Sequence, residues 1–252
     1  MTKWDRTDDR ETGDRAPAAQ SISAYLKKEE LSELLASMQL RKFRKGDFVF
    51  RASDADQNVY FLRQGRIKLY RLSEEGREII MRFCVSGELF GLIDTVRGTR
   101  RVISAQACSE SEVYMMARDQ FHEYLETHGR LAVFIMTMFS RRVHALGDML
   151  TKFISSDVNA RVVWIIKHLS DRHGVRFGDD VEISIPLTHQ EIANMAGTTR
   201  QTVTTVLAEL RRQDIVFPEN HRIRVRYDRL LALIGGGASE SSVRVDVEPG
   251  RR

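Results

Sequence analysis

The stretch Thr188 to Arg212, THQEIANMAGTTRQTVTTVLAELRR, constrains this chain more than any other. It reads as two short helices joined at Gly197, a residue that tolerates the positive φ of a sharp inter-helix turn. Ile192, Ala196, Val203, Val206 and Leu210 supply apolar contacts, and Ala193 is small enough to let two helix backbones approach. Thr199 is placed as the N-cap of the second helix. Arg200, Gln201 and Thr204 then lie on the exposed face of that helix's first turns. In a helix-turn-helix such residues reach base edges in the major groove, where Arg grips guanine and Gln grips adenine with paired hydrogen bonds. The bland alternative is a helical hairpin with a solvated polar face. Cap, glycine, small residue and apolar spacing all agree on the first reading.

Charge distribution points the same way. The net charge of the 252 residues is only +4, but Arg200 to Arg229 holds seven arginines against four acids. That local excess suits DNA phosphates, with Thr188, His189, Thr199, Thr202, Arg211, Arg222 and Arg224 as the phosphate-contacting or positioning candidates. Residues Ile215 to Phe217 and Arg222 to Val225 flank Pro218-Glu219-Asn220-His221 as a winged hairpin, and a last short helix follows at Tyr227 to Leu233.

Upstream, the pattern from Leu40 to Met116 is one of short alternating runs punctuated by glycine, as in a small β-barrel or roll. In RIKLYRL the alternation places Ile67, Leu69 and Leu72 inward, with Arg66, Lys68 and Tyr70 less buried. Ser73-Glu74-Glu75-Gly76 reads as a hairpin turn, and helices are expected at Lys28 to Met38 and Asp119 to Thr127. Arg130 to Ile154 then runs without proline as one long helix with two apolar stripes. Ile135, Phe139, Val143, Leu146, Leu150 and Phe153 are spaced 4, 4, 3, 4 and 3, close to a coiled-coil seam, and are expected to meet a second copy of the chain. Leu131, Phe134 and Met138 form the stripe for the roll. Asp157 is the candidate cap of the next helix, with a hinge just before it, and a β-pair at 176–177 and 182–185 leads into Pro186.

The resulting fold class is α+β. Residues 1–22 form a disordered extension, 23–129 a β-roll (double-stranded β-helix or jelly-roll) sensor domain, and 130–155 a dimerisation helix. Residues 156–234 form a winged helix-turn-helix and 235–252 a disordered tail. Two cysteines, Cys84 and Cys108, are too few for a disulfide framework or a four-cysteine cluster. Neither a phosphate-binding loop, nor metal-ligand spacing, nor a nucleophile–base set is found, so neither an enzyme nor a metal site is expected. With no leader-like apolar segment and no run near the ~18 apolar residues of a membrane span, a cytoplasmic location without membrane contact is expected.

A glycine-punctuated roll, a long helix, a hinge and a winged helix-turn-helix, in that order, resemble the CRP/FNR family of bacterial transcription regulators over residues 24–233. The most specific pieces are KGDFVF, VYFLRQGRIKLY, SGELFG and LTHQEIANMAGTTRQTVTTVL. The resemblance implies a homodimer joined through the long helices, a palindromic DNA operator, and RNA polymerase as a further partner. It also implies an effector site in the roll, for which Gly87 and Glu88 match the start of the family's phosphate cassette. The cassette ends Gly98-Thr99-Arg100-Arg101-Val102, with no serine after either arginine, so Arg100 or Arg101 is left to face a phosphate. Leu146 and Gly147 stand where polar contacts to a cyclic-nucleotide base would come from. These departures count against cyclic AMP and leave another small molecule, or no ligand, open. A cyclic-nucleotide-binding module that docks a protein instead of DNA is the alternative from another class; the roll fits it equally well, the recognition-helix sequence does not.

Overall fold

The computed structural model describes residues 21–219 and 222–235. Two short helices, α1 (Ile22–Tyr25) and α2 (Lys28–Ala36), lead into the strands β1 (Gln39–Phe43), β2 (Phe48–Phe50), β3 (Val59–Gln64), β4 (Arg66–Leu72), β5 (Glu78–Val85) and β6 (Leu89–Phe90). Helix α3 (Leu92–Arg97), which the sequence pattern does not announce, precedes β7 (Ser104–Ala107) and β8 (Ser111–Met116). The eight strands form two antiparallel four-stranded sheets, ordered β1-β8-β3-β6 and β2-β7-β4-β5, that close a roll over Leu62, Ile67, Leu69, Phe90 and Val113. Gly65 makes the tight β3–β4 connection at φ +101°, where an added Cβ would lie 2.3 Å from the Ser111 hydroxyl. Ser73 to Gly76 turns between β4 and β5, as expected.

Helix α4 (Arg118–Thr127) and the long α5 (Gly129–Ser155) follow, and Ser156 in extended conformation separates α5 from α6 (Val158–His173). The Asp157 carboxylate caps α6 by accepting from the Ala160 amide at 2.8 Å. A hairpin of β9 (Gly174–Phe177) and β10 (Asp180–Ile183) leads to α7 (His189–Ala196) and α8 (Arg200–Arg212). The wing strands β11 (Val216–Glu219) and β12 (Arg222–Val225) and helix α9 (Tyr227–Gly235) complete a head whose sheet runs β11-β12-β10-β9.

Four expectations are corrected. Ile22, assigned to a disordered extension, is fully buried, and its amide donates to the Gly87 carbonyl at 3.0 Å. On β4 Ile67 and Leu69 are buried as expected, but so are Tyr70 and Arg66, while Leu72 is 62% exposed. The alternation rule assumes one wet face, but here the outer face of β4–β5 is covered by the head: Tyr70, Ile80, Phe83 and Val85 share one core with Ile192, Val203 and Leu210. On α5, Ile135 belongs to the roll core with Leu131, Phe134 and Met138, and Phe139 packs on its edge. Phe153 packs against the head. The apolar residues of α5 left on the surface are Val133, Met136, Val143, Leu146, Leu150 and Ile154. The expected extension at 1–20, the wing tip at 220–221 and the tail at 236–252 lie outside the described residues.

Candidate nucleic-acid interface

Helix α7 begins with a capping box. The Thr188 hydroxyl accepts from the Glu191 amide at 3.1 Å, and Glu191 Oε2 accepts from the Thr188 amide at 2.8 Å. The helix stops at Gly197 in the left-handed region, φ +61°. Thr199 caps α8, its hydroxyl accepting from the Thr202 amide at 3.2 Å and meeting the Thr202 hydroxyl at 2.9 Å. Behind this turn Ile192, Ala193, Ala196, Val203 and Val206 are buried together, and Arg161 Nε of α6 donates to the Ala196 carbonyl at 3.3 Å. The first turns of α8 are therefore held at both ends and from behind.

Arg200 and Gln201 stand exposed at that N-terminus, and neither side chain has a hydrogen-bond or ionic partner among the described residues. Thr204 is exposed too, but its hydroxyl is spent on the Arg200 carbonyl at 2.9 Å and on His189 Nδ1 at 2.8 Å. That leaves the methyl as the uncommitted group of the Thr204 side chain. Arg211 is exposed and unpaired among the described residues, whereas Arg212 pairs with Glu209 at 2.8 Å. The wing arginines are less available: Glu182 holds Arg222 at 3.1 Å and Arg224 at 3.9 Å, and Arg224 also lies over the Phe177 ring.

The roll residues singled out for an effector have protein partners. Arg101 is buried, pairs with Asp56 at 2.8 Å, donates to the Gly91 carbonyl at 2.6 Å and lies over Phe50. Arg100, on the surface, donates to the Ser53 carbonyl at 2.9 Å. The Gly87 amide donates to the Leu62 carbonyl at 2.8 Å. Glu88 is buried between Arg82, 3.0 Å away on β5, and Arg172, 2.9 Å away on α6 of the head. Arg142 of α5 donates to the neighbouring Leu89 carbonyl at 3.5 Å. Burial, then the nearby Arg82, push its guanidinium down to about 9, and burial pushes the adjacent Cys84 thiol up to about 11.

Two bridges thus tie head to roll, and sequence reasoning found neither. Arg172–Glu88 is one. The other is Arg66 of β4, which donates to the Pro186 carbonyl and pairs with Glu191 Oε1 at 3.2 Å, the carboxylate whose other oxygen caps α7. The Thr188–Glu191 capping box carries a local signal, a threonine three residues before a glutamate, that the sequence reading passed over; a partner 125 positions away has none.

The sequence of residues 40–128 matches the cyclic nucleotide-binding domain, and residues 160–233 match the Crp-like helix-turn-helix domain. The global nitrogen regulator of Synechocystis sp. is 30% identical over 196 residues, spanning 77% of this chain and 87% of its own. This chain belongs to the CRP/FNR family of transcription regulators. Among its CRP/FNR relatives, the CRP-like cAMP-activated global transcriptional regulator of Mycobacterium tuberculosis is 25% identical over 179 residues, 71% of this chain and 80% of that one. The fold is shared with a CooA mutant from Carboxydothermus hydrogenoformans at a TM-score of 0.73 and 18% identity, over 88% of this chain and 99% of that one. As a CRP/FNR member, this is a DNA-binding regulator that acts as a homodimer, and its curated relatives are regulators, not enzymes. Among the described residues no helix is long and apolar enough to cross a membrane.

Proposed function

We propose that two copies of this chain, joined along α5, read a palindromic operator with their α8 helices about 34 Å apart. Arg200 and Gln201 read base edges and Thr204 presents its methyl. Thr188, His189, Thr199, Thr202 and Arg211 engage or position phosphates, and Arg222 and Arg224 add a weaker contribution because they share Glu182. The observation that carries this reading is the pair of unspent side chains, Arg200 and Gln201, at the start of a capped and buttressed helix. The seam of the dimer is the surface stripe of α5, Met136, Val143, Leu146, Leu150 and Ile154, with Gly147 beside it. RNA polymerase is the further partner, and the cytoplasm the place, that such a role requires. The Crp-like helix-turn-helix match does not favour the module that docks a protein instead. Cyclic AMP is not the effector we assign, since Glu88 and Arg101 are held by protein partners and Leu146 is an apolar surface residue.

Fluorescence anisotropy on a selected palindromic duplex tests this. Arg200→Ala should cost about 1–3 kcal/mol and relax preference at one base position, while Arg211→Ala should weaken all duplexes alike and lower the salt slope by about one. Equal losses from both, with specificity untouched, would refute the division into base reader and phosphate contact.

A further inference from the structure

A cleft of about 510 Å³ lies where α5, α6 and α9 meet, outside the roll. Its walls carry Arg141, Arg142 and Lys152 from α5 and Lys167 and Arg172 from α6, against only Asp148 and Asp171. Met138, Ala145, Trp164 and Ile234 supply the apolar part of the lining, and His168 stacks on Trp164 at 5.1 Å. Size, apolar walls and a few convergent polar groups are the general properties of small-molecule sites.

Hydrogen-bonding capacity is left over here. Each guanidinium has five donors. Among the described residues Arg142 makes one long hydrogen bond, to Leu89 at 3.5 Å, besides lying over the Phe139 ring at 6.0 Å, and Arg172 Nε is buried without a partner although its Nη2 holds Glu88. Three largely covered arginines, 82, 142 and 172, face the carboxylate of Glu88, which accepts from Arg82 at 3.0 Å and Arg172 at 2.9 Å; burial first, and then Arg82, lower the Arg142 guanidinium. Positive charge that burial makes costly is offset by an anion.

The seam proposed for the second copy leaves this space clear. At about 100° per residue, Arg141, Ala145, Asp148 and Lys152 share one side of α5, and the exposed stripe of Val143, Leu150 and Ile154 lies on the opposite side.

We infer that the cleft between α5 and α6 binds a small organic anion with an apolar body, and that its occupancy sets how the head sits against the long helix. This rests on the reading of the chain as a DNA-binding regulator gated by an effector. It places the effector between long helix and head, at contacts that involve both sides of the hinge at Ser156.

The probe is anilinonaphthalene sulfonate, an aromatic anion that brightens in apolar surroundings, added to the full-length Trp4→Phe protein so that Trp164 is the sole tryptophan donor. Saturable binding of one probe per chain is expected, with energy transfer from Trp164. Arg141→Glu and Lys152→Glu should each weaken it about tenfold, as loss of a charge-assisted contact does. Ala145→Trp, which fills the cleft without changing charge, should abolish it. Binding unaffected by these three changes overturns the site. Operator affinity that does not move at probe saturation overturns the gating. DNA binding measured both without and with probe stands apart: its absence in both, with probe still bound in the cleft, would sink the regulator reading while leaving the cleft result intact.

Discussion

Glu88→Gln is the perturbation that separates a structural role for this carboxylate from an effector-binding one. In the free protein the Glu88 side chain is 2% exposed and accepts from Arg82 at 3.0 Å and Arg172 at 2.9 Å. The amide keeps the volume, so little cavity cost arises; what goes is the carboxylate charge that Arg82 and Arg172 share. Removing one partner of a buried ion pair costs about 3–5 kcal/mol, because the remaining charges stay buried without compensation. For a chain of this size about 2–4 °C accompanies each kcal/mol, so the unfolding midpoint should fall by about 6–20 °C. Circular dichroism during heating, with no ligand or DNA present, reads this directly. Arg172→Met in the same assay completes a double-mutant cycle, and the two changes should couple by about 0.5–3 kcal/mol because they touch the same pair. A loss below about 1 kcal/mol for Glu88→Gln, or strict additivity of the two changes, would refute the view that Glu88 holds the head on the roll.

Three further outcomes follow from the geometry. Val143→Asp with Leu150→Asp places charge on residues 68% and 61% exposed in the single chain, so the fold should survive while analytical ultracentrifugation reports monomers and operator binding falls. Acidification should destabilise the protein between about pH 6.5 and pH 4. Burial, then Arg172, push the His168 imidazole from 6.5 down to about 4, so in that window the unfolded chain binds the proton and the folded chain resists it; stability therefore rises with pH, and His168→Gln should make this limb of a urea-midpoint profile shallower, the buried His173, also held low, supplying the remainder. Gly197→Ala meets no atom within 4 Å but must adopt φ +61°, so it should cost about 1–2 kcal/mol in thermal unfolding through backbone strain alone; an unchanged midpoint would show that the α7–α8 turn is not held there.

The chain itself carries everything local to the DNA-reading unit. Thr188, Glu191, Gly197 and Thr199 are cap and turn chemistry set by neighbours three or four residues away, and the structure places each as that chemistry dictates. The same holds for the glycine-marked strands of the roll and for Asp157 at the start of α6. Periodicity also located both stripes of α5, but it could not divide them: Ile135 and Phe139 fit the seam by spacing, yet the roll claims them, and Phe153 goes to the head.

What only the tertiary structure decided is where the charged groups spend themselves. Arg66 with Glu191 and Glu88 with Arg172 are partners 125 and 84 positions apart. Arg101 is consumed by Asp56, and Arg222 and Arg224 share Glu182. A helix cap or a hydrophobic repeat is written in adjacent residues because its period is that of the backbone. The pairing of a buried charge depends on which surfaces meet after the chain has turned back on itself. The alternation of β4 fails for the same reason: Tyr70 is buried by a domain that begins some ninety residues later.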